Sequence, residues 1–154
     1  MKIILVFLFL FLGCLKNNIL FDAKLSSTSD ASGKASVELF DKTINWEMEL
    51  INVPNITMAH FHCKSNDAVA ATLIPKNTWE KSRSSKSFLI FSGVIFGPDL
   101  NNRCNYKSLD ELVIAMKEEK TYINVHTKEH PGGLIKGDLV LGPSPHRLNF
   151  LDYR

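Results

Sequence analysis

Residues 35–53 read ASVELFDKTINWEMELINV, and this stretch decides the fold class. Val37 and Leu39 alternate with polar residues until Asp41-Lys42 breaks the run; then Ile44, Trp46, Met48 and Leu50 take every second place. A period of two puts each set on one face of a strand. A break of two polar residues between two such runs predicts adjacent antiparallel strands. Downstream the same texture continues. ITMAHFHC (56–63) and AVAATLIP (68–75) are further candidate strands, the second ended by Pro75. The Ser-rich run 76–86 reads as an exposed loop. FLIFSGVIFG (88–97) is rich in β-branched and aromatic residues, and Gly93 at its middle predicts a strand, a turn or bulge, and a short continuation.

One helix interrupts the pattern. Leu109, Leu112, Val113 and Met116 share a helical face, Ser108 precedes them, and Glu111 follows Ser108 by three, the arrangement of a capping box. The expected helix runs over 109–119. TYINVHT (121–127) and GLIKGDLV (133–140) are two more strands, joined through a turn at Pro131-Gly132-Gly133. About seven short strands with one helix predict a mainly β fold: an antiparallel Greek-key sandwich or barrel, immunoglobulin-like or Cu/Zn-superoxide-dismutase-like.

The chain has 154 residues, 45% hydrophobic and 22% charged, which suits one domain. Met1-Lys2 is followed by an unbroken apolar run from Ile3 to Gly13 and then by Lys16-Asn17-Asn18, the order of a secretory signal peptide. Eleven helical residues rise only about 16 Å, short of the roughly 30 Å that a membrane-spanning helix must cross. Small residues at Gly13, Cys14 and Ala23 allow cleavage near either 14 or 23. The expected organisation is a signal peptide over 1–23, a β domain over 24–142 and a tail over 143–154 without usable period. A secreted chain without Cys14 keeps Cys63 and Cys104, a pair expected to form a disulfide in an oxidising compartment. Asn55-Ile56-Thr57 is a sequon, so Asn55 is a candidate glycosylation site.

With 18 Lys+Arg against 16 Asp+Glu and both signs interspersed, no basic stripe is available for phosphates, and nucleic acid is not an expected partner. No G-x-S-x-G elbow, phosphate loop or H-E-x-x-H motif occurs, so no catalytic residue is named and no enzyme is expected. The chemistry that stands out is imidazole. His60 and His62, two apart on one strand, project to one side, and a third ring from a neighbouring strand, such as His126, would complete a copper or zinc site. The same rings also fit a structural role, bonded to backbone carbonyls in a polar pocket. His130, Asp99 and Asp138 are the further residues that could approach.

YINVHTKEHPGGLIKGDL (122–139) resembles the closing motif of the CHRD domain, the module named for chordin, in which a Y-x-N-V-H-T run leads through a Pro-Gly turn to G-x-I-[RK]-G. MAHFHC resembles the family's A-H-I-H segment, residues 30–35 its A-S-G-x-A opening strand, and SGVIFGPDL with SLDELVIAM the approach to its single helix. The resemblance spans residues 21–140, and His60, His62 and His126 match motif positions, whereas His130 falls where the family varies. KSNDAVAATLIP (64–75) departs from the pattern, having no glycine where the family has a glycine-rich turn. The resemblance implies a secreted or surface β-sandwich. In chordin these modules belong to a protein that sequesters bone-morphogenetic-type growth factors, but also carries cysteine-rich modules that this chain lacks. The leading expectation is therefore a non-catalytic extracellular binding module with an unidentified protein or matrix ligand and no cofactor. The alternative is a histidine-based copper or zinc protein on a superoxide-dismutase-like sandwich.

Overall fold

The structure, a computed structural model, describes residues 18–76 and 88–142. The leader with Cys14, nearly all of the Ser-rich loop and the tail lie outside these residues. Three strands form a meander: β1 (Ile19–Ser26), β2 (Ser32–Phe40) and β3 (Thr43–Ile51), paired antiparallel. The alternation read in β2 and β3 is the core pattern, since Val37, Ile44, Trp46, Met48 and Leu50 are all buried.

The expected boundary at residue 24 falls inside β1, whose Phe21, Ala23 and Leu25 are buried, with Phe21 opposite Val37. The alternation is present in the sequence, but Ala23 also reads as a cleavage position, and that reading assigned the stretch to the leader.

The remaining elements are β4 (Ile56–Cys63), β5 (Val69–Ile74), β6 (Phe88–Ile95), α1 (Leu109–Lys117), β7 (Thr121–Thr127), β8 (Ile135–Asp138) and β9 (Val140–Leu141). They make one nine-stranded sheet in the order β5-β4-β7-β8-β1-β2-β3-β6, with β9 also paired to β1. The sheet curls until its ends meet. Asp99, just beyond β6, accepts from the Thr72 backbone N–H (3.0 Å) and hydroxyl (2.6 Å) of β5, and donates its own N–H to Ala70 (2.8 Å). Closed in this way, the order places β3-β6-β5-β4 and β6-β5-β4-β7 side by side, two overlapping Greek keys. The molecule is an almost closed antiparallel barrel with one helix, the expected class.

β6 runs unbroken from Phe88 to Ile95, without the turn expected at Gly93. The glycine answers a packing need: a Cβ there would lie 2.8 Å from the Trp46 ring on the paired strand. Conversely, the segment expected as one last strand is two, because Leu139 turns fully into the core and donates its N–H to Thr121 (3.2 Å).

The helix begins as read and ends two residues sooner. Ser108 accepts from the Glu111 N–H (3.2 Å), while the Glu111 carboxylate accepts from Lys107 rather than from Ser108 (2.7 Å). Leu112, Val113, Ala115 and Met116 are its buried stripe. A disulfide joins Cys63, at the end of β4, to Cys104 in the segment before the helix. It fastens the strand that carries His60 and His62. No described helix is long and apolar enough to cross a membrane.

Candidate metal centre

β4 and β7 are neighbours, with His60 opposite Asn124, His62 opposite Tyr122 and Met58 opposite His126. Alternation sends Ala59 and Phe61 of β4, and Ile123 and Val125 of β7, into the barrel. The histidines therefore stand on the outer wall. They are nevertheless buried, at 8%, 6% and 6% relative exposure for His60, His62 and His126, because segments on either side fold over them.

Those segments set the chemistry of each ring. His62 Nδ1 lies 2.9 Å from the Asp67 carbonyl oxygen and His126 Nδ1 lies 2.8 Å from that of Pro131. A carbonyl can only accept, so both rings carry their proton on Nδ1 and present the Nε2 lone pair. His126 Nε2 is 3.3 Å from His60 Nδ1, and His62 Nε2 is buried with no hydrogen-bond partner among the described residues. One ligand nitrogen from each of the three rings lies within 4.8 Å of the others.

The fit to a metal ion follows from these facts. Nitrogen ligands about 2.0–2.1 Å from a tetrahedral ion stand roughly 3.3 Å apart, so the cluster needs to contract by less than the length of one bond. An N–H donated to a backbone carbonyl is also the usual way in which a ligating imidazole is oriented. With His126 Nε2 accepting, His60 Nδ1 donates to it in the ion-free protein, and binding an ion at His60 Nδ1 requires that proton to move to His60 Nε2.

Burial keeps His60 and His62 in the ligating form. Burial, helped by His126 and His62 nearby, pushes the His60 pKa down to about 4 against a weaker opposing pull from Asp99. Burial also lowers His62, partly offset by its bond to the Asp67 carbonyl. Both are neutral at pH 7, the state that binds metal. Tyr122 stacks on His62 with ring centroids 5.1 Å apart and an interplanar angle of 18°, and gives its hydroxyl proton to Asp67 Oδ1 (3.0 Å). Burial and that bond raise the phenol to about 12.

The structure brings together His60, His62 and His126 as expected, and leaves the other candidates outside. His130 lines the neighbouring cleft without joining the cluster. Asp138 pairs with Lys64 (2.9 Å), and Asp99 is engaged by Thr72. Asn55, the sequon asparagine, donates its side-chain N–H to Glu129 (2.8 Å) in the turn before β4. The parts that sequence reading missed are the Asp67 and Pro131 carbonyls, which have no side-chain signature, and Asn124. Asn124 shares the His126 face at a spacing of two, donates to the Gly132 carbonyl (3.1 Å), and packs so tightly on Gly133 that a Cβ there would overlap its amide. Gly133 has φ +112°, so the Pro-Gly-Gly turn is needed both for backbone freedom and for this contact.

A Greek-key barrel with a disulfide-fastened wall and three converging imidazoles defines a small extracellular-type β module. The family model for the CHRD domain matches residues 21–139, and the chain belongs to that family. CHRD domains occur in extracellular proteins, in keeping with the Cys63–Cys104 bridge. No curated protein and no solved structure gives a significant match.

Proposed function

We propose that this chain is a secreted module whose working part is a copper or zinc site made by His60 Nδ1, His62 Nε2 and His126 Nε2. The observation that carries the reading is the pair of backbone bonds at Asp67 and Pro131, which leave a lone pair on each of two rings whose ligand nitrogens lie, with one of the third ring, within 4.8 Å of one another. Buried polar atoms are for the most part hydrogen-bonded, and His62 Nε2 is buried with no such partner among the described residues. Imidazole ligands suit copper and zinc, and copper stands highest in the affinity order of the divalent ions. The reading assigns binding rather than turnover.

A second reading, a module that docks an extracellular partner, is favoured by one feature: Phe88, Ile90 and Val94 form an exposed apolar row on the outer side of β6. It is compatible with the first. Titrating the metal-free protein with Cu(II) or Zn(II) while following its melting tests the metal reading. One equivalent should raise the melting temperature by the binding linkage, and should do so neither in His60→Ala nor in His126→Ala. An equal response in those variants would refute the site.

A further inference from the structure

Two of the three rings border open space beside the cluster. His62 and His126 form part of the wall of a cleft of about 820 Å3, together with Tyr122, Asn124 and Lys136, whereas His60 is not part of that wall. Three nitrogens leave one position of a four-coordinate ion unfilled, and open positions distinguish working sites from purely structural ones. No carboxylate belongs to the cluster among the described residues. The nearby ones have other bonds: Asp99 to Thr72, Asp67 to Tyr122 and Glu129 to Asn55.

Charge decides what would fill the position. His62 and His126 keep their Nδ1 protons for the carbonyls of Asp67 and Pro131, so neither can serve as an imidazolate. A divalent ion on three neutral rings is then a buried double charge with no anion among its ligands, an unfavourable state unless something negative reaches it. We infer that the centre takes a small monovalent anion at its fourth position, through the cleft, and that Lys136 on the cleft wall favours its entry. The wall also carries Asp30, Asp67 and Glu129, which oppose anions in proportion to their charge and so disfavour multiply charged ones most. The inference rests on the metal reading above and deepens it.

Azide is the probe. The full chain, secreted and processed, is loaded with one equivalent of Cu(II) and titrated with sodium azide at constant ionic strength, with absorption and electron paramagnetic resonance as readouts. The expected result is a saturable azide-to-copper charge-transfer band with single-site behaviour. Lys136→Ala should keep its copper stoichiometry and lose about three- to tenfold in azide affinity, the scale of one nearby charge in a partly solvated cleft. Copper bound one to one with spectra indifferent to azide would overturn the inference while leaving the metal reading in place. An azide response unchanged in Lys136→Ala would overturn the route through this cleft. Failure to bind copper at all would overturn both.

Discussion

His126 carries two duties that separate under substitution. Its Nδ1–H satisfies the Pro131 carbonyl and its Nε2 belongs to the cluster. His126→Ala should therefore cost about 1–3 kcal/mol in the metal-free protein, the usual penalty for a buried group left unpaired, and should also abolish stabilisation by added metal. His62→Ala is expected to behave in the same way, with Asp67 as the deserted carbonyl. Thermal melts with and without chelator distinguish the two losses. His60 makes a further prediction through pH. Its folded pKa, about 4, lies below the ordinary 6.5, so the unfolded chain binds the proton more tightly. Between these values stability must fall as pH falls, being fully present above about 6.5 and exhausted below about 4. His60→Gln should flatten the metal-free stability profile across that window; an unchanged slope would show that the ring is not held neutral by burial.

At the level of elements, the turn between β7 and β8 fixes the His126 ring that its strand presents. Gly133→Ala forces a side chain into the Asn124 amide at a positive φ, and it should lower both stability and metal affinity, measurable by melting and by metal titration. Gly93→Val, by contrast, crowds Trp46 on the far side of the barrel and should lower stability while sparing the affinity. Opening the Cys63–Cys104 bridge by a double serine substitution frees a loop spanned by 41 residues and should cost on the order of 3–4 kcal/mol in the chain-entropy view. How much of this was legible depends on the kind of signal. β2 and β3 were readable because each buries one face, so burial and alternation coincide, whereas β4 and β7 are buried almost throughout and were readable as short apolar runs between turn signals. The helix was readable from Ser108 and its stripe. β1 was masked because Ala23 within it reads equally well as a signal-cleavage position, and Gly93 was misread because a glycine vacated for a neighbour's ring looks the same in sequence as one needed for a turn. His60, His62 and His126 were visible as residues. What makes them a site, two backbone carbonyls and a neighbouring amide, was not, since any residue supplies a carbonyl.

For the whole molecule, the barrel requires its first strand. A chain beginning at Lys24 loses Phe21 and Ala23 from the core and the β1 side of the pairing with β9, whereas one beginning at Asn18 keeps both. Burying a phenylalanine alone is worth about 1.5–3 kcal/mol, a large share of the stability of a domain this size. The longer chain should fold cooperatively and the shorter one should not, as circular dichroism melts would show; equal folding would mean that β1 is dispensable. Signal cleavage is correspondingly expected near Cys14 rather than after Ala23, and N-terminal sequencing of the secreted protein checks it.

Whether the three buried imidazoles on the barrel's outer wall hold a metal ion is tested most directly by elemental analysis of the protein secreted from its own host, beside the His60→Ala variant. The expected result is about one copper or zinc per chain, lost in the variant. Protein that carries no metal and gains no stability when copper or zinc is supplied would contradict it and leave the three histidines as structural bonds between β4, β7 and their covering turns.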